Sequence, residues 1–291
     1  MRLTSNCIAC LLDKQQVRVA AFKDEEKKTA YMKEVAAALG ASEDEDSAPY
    51  MVYVFNQIYR KYFGEPQDYQ EVKKEYNQYV LSMEQSLHEE ILKAKDPLKQ
   101  AIVYARIGNY IDFGAMQHVD KEQFLALFGE EEKNLLDDRV YRLFLEDCAK
   151  AKKFLLLADN SGEIVLDKLF ILELQKHFPD LIIQVMVRGG EVLNDATMED
   201  AEEVGLTKIV SVVSNGNSVA GTVEKMMPKE AIDILDDADV ILSKGQANFE
   251  TVNGCGRNVY YSFLCKCDWF AGRFQVPQYT GMFIRENDLN S

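Results

Sequence analysis

The stretch "FLLLADNSGEIVLDKL", residues 154–169, decides the fold. Phe154 to Ala158 is a continuous apolar run with the length of a buried strand. The chain then turns polar at Asp159, Asn160, Ser161, Gly162 and Glu163, and apolar residues return at helical spacing. A strand, a Gly-containing turn and a helix in immediate succession open a βα unit. The polar turn has two readings. Asn160 with Glu163 matches a capping box, in which the amide caps the helix and the glutamate reaches back to it. Alternatively, Asp159 and Asn160 form the mouth of an active site.

The rest of the second half repeats this rhythm. Apolar runs recur at Leu181–Val187, Lys208–Val213, Val240–Leu242 and Val259–Leu264, with helical patterns at Leu166–His177 and Met198–Val204 between them. Thr197 with Asp200 offers a second capping box. Runs that are continuous rather than alternating suit a parallel sheet buried on both faces. The first half reads as helical instead. Mixed apolar and charged residues run from about Lys14 to Gly40, and helical patterns cover Met51–Phe63, Tyr69–Lys95, Glu122–Phe128 and Lys133–Ala149. Pro97 opens a further helix, at a position where its missing N–H costs nothing. The expected fold is α/β, a doubly wound, mainly parallel, three-layer sheet with an N-terminal all-helical subdomain. Residues 1–150 are the helical subdomain and residues 151–291 the α/β subdomain.

The chain has 291 residues, 47% hydrophobic and 28% charged, with a formal net charge of −15. That balance disfavours an electrostatic grip on nucleic acid or an anionic membrane. It leaves room for an anionic small molecule, because a bound cation reverses the field locally. No run is apolar and long enough for a transmembrane helix, and Met1–Asp13 lacks a signal peptide's layout. The expected location is therefore cytoplasmic. Cys7, Cys10, Cys148, Cys255, Cys265 and Cys267 read as thiols in such a compartment.

In open α/β sheets ligands bind outside the carboxyl ends of the strands. The first exit carries Asp159-Asn160-Ser161-Gly162-Glu163, and the second Arg188-Gly189-Gly190 followed by Asn194-Asp195. The third carries Ser214-Asn215-Gly216-Asn217, and the fourth Ser243-Lys244-Gly245-Gln246 followed by Asn248. Side-chain oxygens of this kind select hard cations. Helix N-termini after glycine turns and a lysine suit phosphate oxygens. Together these are the parts for phosphoryl transfer to water. His88, His118 and His177 lie away from the exits and read as surface or packing residues. No G-x-x-x-x-G-K-[ST] or G-x-G-x-x-G motif is present, and the first strand lacks the D-x-D of a haloacid-dehalogenase phosphatase.

"LADNSGEIVLDKL", "VRGGEVLNDATMEDAEEVG", "SKGQANFE" and "FLCKC" resemble, in order, the motifs of the damage-control phosphatases, catalogued as domain of unknown function eighty-nine. "CIACLL" and "ARIGNYIDFG" (residues 105–114) resemble the stand-alone subgroup of the same family. The resemblance implies metal-dependent hydrolysis of phosphate monoesters of small metabolites, such as sugar phosphates, nucleotides or damaged phosphometabolites. It implies Mn²⁺, Mg²⁺, Co²⁺ or Ni²⁺ as the divalent cofactor, held by Asp159, Asn160 and Asp195. Lys244 and Asn248 would contact phosphate, and Asn109 and Asp112 would line the pocket from the helical side. Glu163 and Asn194 would orient the metal residues or bind substrate. Asp159, Asp195 and Lys244 are the expected catalytic set, with either aspartate as base. Cys7, Cys10, Cys265 and Cys267 could form a second, thiolate metal site if the ends meet in space. An S-adenosylmethionine-dependent carboxyl methyltransferase and a non-catalytic phosphometabolite-binding protein are the alternative functions.

Overall fold

The strand at the centre of the opening stretch, β1 (Lys153–Leu157), sends alternate side chains into two different cores. Phe154, Leu156 and the following Ala158 face one core, and Leu155 and Leu157 face the other. A strand buried on both sides is what a continuous apolar run encodes. The structure, a computed structural model, describes residues 1–112, 120–129 and 135–289. His118, the Phe113–Gly114 end of the 105–114 motif and the start of the Lys133–Ala149 pattern lie outside the described residues.

The sheet comprises β1, β2 (Ile182–Val187), β3 (Ser211–Ser214), β4 (Val240–Lys244), β5 (Val259–Leu264) and β6 (Gly281–Arg285), in the order β3-β2-β1-β4-β5-β6. All neighbours are parallel except β6, which runs antiparallel to β5. The third strand begins later than its apolar run suggests. Gly205 adopts a left-handed conformation, and Leu206–Lys208 is a 3₁₀ turn, so pairing starts only at Ser211. β6 escapes the sequence reading because it is an edge strand with one fully buried residue, Phe283.

The first half is helical, as expected: α1 (Ser5–Val19), α2 (Glu25–Gly40), α3 (Ala48–Phe63), α4 (Gln70–Leu81), α5 (Glu84–Lys93), α6 (Pro97–Gly108), α7 (Lys121–Leu127) and α8 (Asp138–Lys150). The pattern from Lys14 to Gly40 is divided where Asp24 caps α2 by accepting from Lys27 N at 2.9 Å. The Tyr69–Lys95 pattern is likewise two helices, parted at Ser82 and Met83. Pro97 stands in the first turn of α6 behind its cap Asp96. Within the sheet half come α9 (Glu163–His177), α10 (Met198–Glu203), α11 (Lys229–Asp237), α12 (Gln246–Val252) and α13 (Asp268–Phe274).

One face of the sheet shares a core with α4 to α9, and the other with α11 to α13. The helices from α4 onward are therefore part of the sheet's own core, while α1 to α3 enclose a separate one around Leu11, Val35 and Phe55. α9 is buried almost all round, charged residues included, between the sheet and α4, α5 and α6. No helix of the described residues is long and apolar enough to cross a membrane.

Candidate active site

The chain winds from β1 outward through β2 to β3, then returns to β4 beside β1 and winds the other way. The crevice between β1 and β4 is thus the topological switch point, where ligands of such sheets bind. Asp159 and Asn160 leave β1 there, and Lys244 and Gly245 leave β4. The approach is close: a Cβ on Gly245 would lie 1.9 Å from Asp159 Oδ2, and Gly245 has φ +79°.

The Asn160–Glu163 capping box is not formed. The N-cap of α9 is Gly162, with φ 73° and no side-chain cap. The Asn160 amide donates instead to Asp159 Oδ2 at 2.7 Å and Glu163 Oε2 at 2.9 Å. Its amide is drawn to the carboxylates because they are buried and need donors. The Thr197–Asp200 box is formed, with Thr197 N donating to Asp200 Oδ2 at 2.8 Å.

A backbone bridge joins the first two strand exits. Asn160 and Asp195 pair in antiparallel fashion, Ala196 N donates to Asp159 O at 2.7 Å, and Ser161 N donates to Asn194 O at 2.8 Å. Asp159 and Asn160 are far from Asp195 in sequence but adjacent to it in space, and all three are buried. Arg188, one residue beyond β2, donates from Nε to Asp195 Oδ2 at 2.7 Å and holds Nη2 3.6 Å from Asp159 Oδ1.

The helical half closes the other side. Asn109, at the C-cap of α6, donates to Asp159 Oδ2 at 2.9 Å and Glu163 Oε2 at 3.2 Å, and accepts from Leu264 N at 3.0 Å. Asn194 donates to Ile111 O at 3.0 Å, and Asp112 accepts from Lys266 Nζ at 2.7 Å. Lys244 is fully buried. Its three donors reach Glu163 Oε1 at 2.7 Å, Asp167 Oδ1 at 2.5 Å and Ala105 O at 3.0 Å. Asn248 ties the β1 and β4 exits together, donating to Ala158 O at 3.0 Å and Lys244 O at 2.7 Å while accepting from Thr222 at 2.8 Å.

Electrostatics follow from this crowding. Burial raises the Asp159 carboxyl well above its ordinary range, and Glu163, Asp195 and Asp112 raise it further against the opposing pull of Arg188. Burial brings Asp195 up to about 6, held there against Arg188. Asp167 rises to about 7 by burial, with Lys244 opposing. Burial alone would lower Lys244, but Asp167 and Glu163 outweigh it and raise it. The cluster of carboxyls concentrates negative charge that a cation would relieve.

Among the described residues no three His, Cys, Asp or Glu side chains converge as a metal cluster. The oxygen set at the switch point is two carboxylates, both raised chiefly by burial, and an amide, donors of the kind that suit a hard divalent cation. The thiols are free, Cys10 exposed and Cys265 buried. His88 pairs with Glu173 at 3.5 Å, and His177 packs on Phe178, both away from the crevice.

The model of the damage-control phosphatase ARMT1-like domain matches residues 3–282. The chain belongs to the damage-control phosphatase family. A damage-control phosphatase of Pyrococcus horikoshii is 26% identical over 287 residues, covering 96% of each chain. One of Archaeoglobus fulgidus is 27% identical over 279 residues, covering 92% of this chain and 93% of that one. The crystal structure of a DUF89 family protein from Pyrococcus horikoshii superposes with a TM-score of 0.76 at 26% identity, over 98% of this chain and 99% of that one. A phosphatase role for this chain is therefore supported along its length. Within this damage-control phosphatase, Arg188, Asp167 and Lys266 join the site without having been singled out in the sequence. Asp167 did carry a signal, a charge inside the otherwise apolar "IVLDKLF" helix, as did Arg188 by its place at a strand exit.

Proposed function

We propose that this damage-control phosphatase hydrolyses phosphate monoesters of small metabolites, such as sugar phosphates, nucleotides or damaged phosphometabolites, with a divalent metal ion. The observation that carries the reading is the bridge that brings Asp159, Asn160 and Asp195 together, buried, at the switch point. These three residues would hold Mn²⁺, Mg²⁺, Co²⁺ or Ni²⁺. Such an ion supplies a Lewis acid for a phosphoryl oxygen and charge neutralisation for the anionic ester.

The chain's own residues do the rest. Asn109 and Asn160 fix Asp159 Oδ2, and Arg188 fixes Asp195 Oδ2, so both carboxylates are pre-positioned. Water attacks phosphorus and the ester P–O bond breaks; Asp195 or Asp159 takes the proton the water loses, and that proton is passed on to the leaving oxygen. Lys244 contributes its charge from behind Glu163, and Asn248 keeps the β1 and β4 exits in register. Asp112 and Asn194 build the wall on the helical side. With a net charge of −15 the substrate is a small molecule rather than nucleic acid or a membrane. The cytoplasm is the proposed location.

A panel of phosphate esters, assayed for phosphate release with each of the four metals separately, tests this. Metal-stimulated release without methyl transfer from S-adenosylmethionine is expected. Tight binding of esters without any release would contradict it.

A further inference from the structure

An acidic, buried site that admits a phosphate dianion needs a cation with donors to spare. Three buried cations near the strand exits are already paired with carboxylates. Lys244 has its three donors on Glu163, Asp167 and Ala105. Lys73 sits on Asp200, Glu191 and Thr197. Lys266 is paired with Asp112.

Arg188 differs. Its side chain is 1% exposed, and Nε is the nitrogen bound to Asp195. Nη1 and Nη2 are buried and have no hydrogen-bond partner among the described residues. Nη2 faces Asp159 Oδ1 at 3.6 Å, an ion-pair separation too long for a hydrogen bond. Buried donors without acceptors are costly, and a guanidinium fork matches the oxygens of a phosphoryl group. The backbone that carries Arg188 is held in place. Arg188 N donates to Ala196 O at 2.9 Å, and Gly189 packs so tightly on the β3 exit that a Cβ there would meet Asn217 N at 2.4 Å.

We propose that Arg188 is the phosphoryl-binding residue of the site. Nε keeps its hold on Asp195 while Nη1 and Nη2 donate to non-bridging oxygens of the ester and of the inorganic phosphate released. Phosphate docking is thereby tied to the orientation of Asp195. The inference rests on the phosphatase reading for the nature of the substrate, but phosphate binding is measurable without turnover.

The test is Arg188→Lys, which keeps the charge and removes the fork. Calorimetric titration with inorganic phosphate should show binding weakened roughly 10- to 100-fold, the range for one or two charge-assisted hydrogen bonds. KM for p-nitrophenyl phosphate should rise in step, and both by a larger factor than any weakening of Mn²⁺ binding that follows from the lost Nε–Asp195 bond. Unchanged phosphate affinity and KM would overturn the assignment, as would a loss that only parallels lost Mn²⁺ binding. If the variant does not fold, a crystal structure of the wild-type chain in saturating phosphate decides instead. Phosphate oxygens within about 3.2 Å of Nη1 and Nη2 are expected, and phosphate seated elsewhere would overturn the proposal. Phosphate bound at Arg188 in a chain that releases none from any ester would sink the phosphatase reading alone.

Discussion

Gly245 stands so close to Asp159 that the smallest side chain would overlap the carboxylate: a Cβ would fall 1.9 Å from Oδ2 and 2.2 Å from Cγ. The turn that ends β4 is thus shaped around the residue that ends β1. Gly245→Ala should push Asp159 off Asn109 and Asn160. The positive φ adds strain of about 1–3 kcal/mol. Metal-stimulated phosphatase turnover should fall by at least tenfold, together with Mn²⁺ affinity by calorimetry. A variant with wild-type metal affinity would show that the crevice tolerates a shifted Asp159.

Lys244 is a buried counter-ion, and its removal leaves Glu163 and Asp167 without their cation. Lys244→Met should therefore destabilise the chain by about 3–5 kcal/mol in urea unfolding. Were the lysine's chief role a direct phosphate contact, stability would change little and KM alone would rise.

Asn109 links the helical half to the site by bonding Asp159, Glu163 and the Leu264 backbone. Replacing it with Leu removes two donors from buried carboxylates and an acceptor from a strand. A loss of about 1–3 kcal/mol is expected by urea unfolding, with weaker ester binding. An unaltered midpoint would mean that the amide is replaceable.

How much of this was legible beforehand depends on what each residue's partner is. The βα alternation was readable because burial on both faces writes itself as apolar runs, as in Phe154–Ala158. β6 was not, because an edge strand buries only Phe283 fully. Asp159, Asn160 and Asp195 were visible as strand-exit residues, but their meeting depends on the Asn160–Asp195 bridge, a tertiary contact. Asn160 read locally as a cap, and buried carboxylates took its amide instead. Lys244 was visible at an exit, but its burial depends on α6 and α9 closing over it. Arg188 showed only as one residue of a glycine turn, since its unfilled donors exist only in the fold.

Asp239 accepts from the backbone N–H groups of Lys152 and Lys153 at 2.7 and 2.9 Å, which holds its carboxyl below the usual range. The folded state thus prefers the ionised form. Its stabilising contribution is present above the unfolded Asp value of about 3.9 and is lost as pH falls through the lower folded value. Asp239→Asn should lower the melting temperature at pH 7, and the gap from wild type should shrink as the pH approaches 3. A gap independent of pH would show that the charge is irrelevant.

The central claim is that Asp159 belongs to a metal-dependent phosphatase centre. The most direct measurement is phosphate release by Asp159→Ala with and without Mn²⁺, alongside its circular dichroism spectrum. The expected result is a wild-type spectrum with metal-stimulated turnover abolished. Full metal-stimulated turnover in that variant would contradict the account.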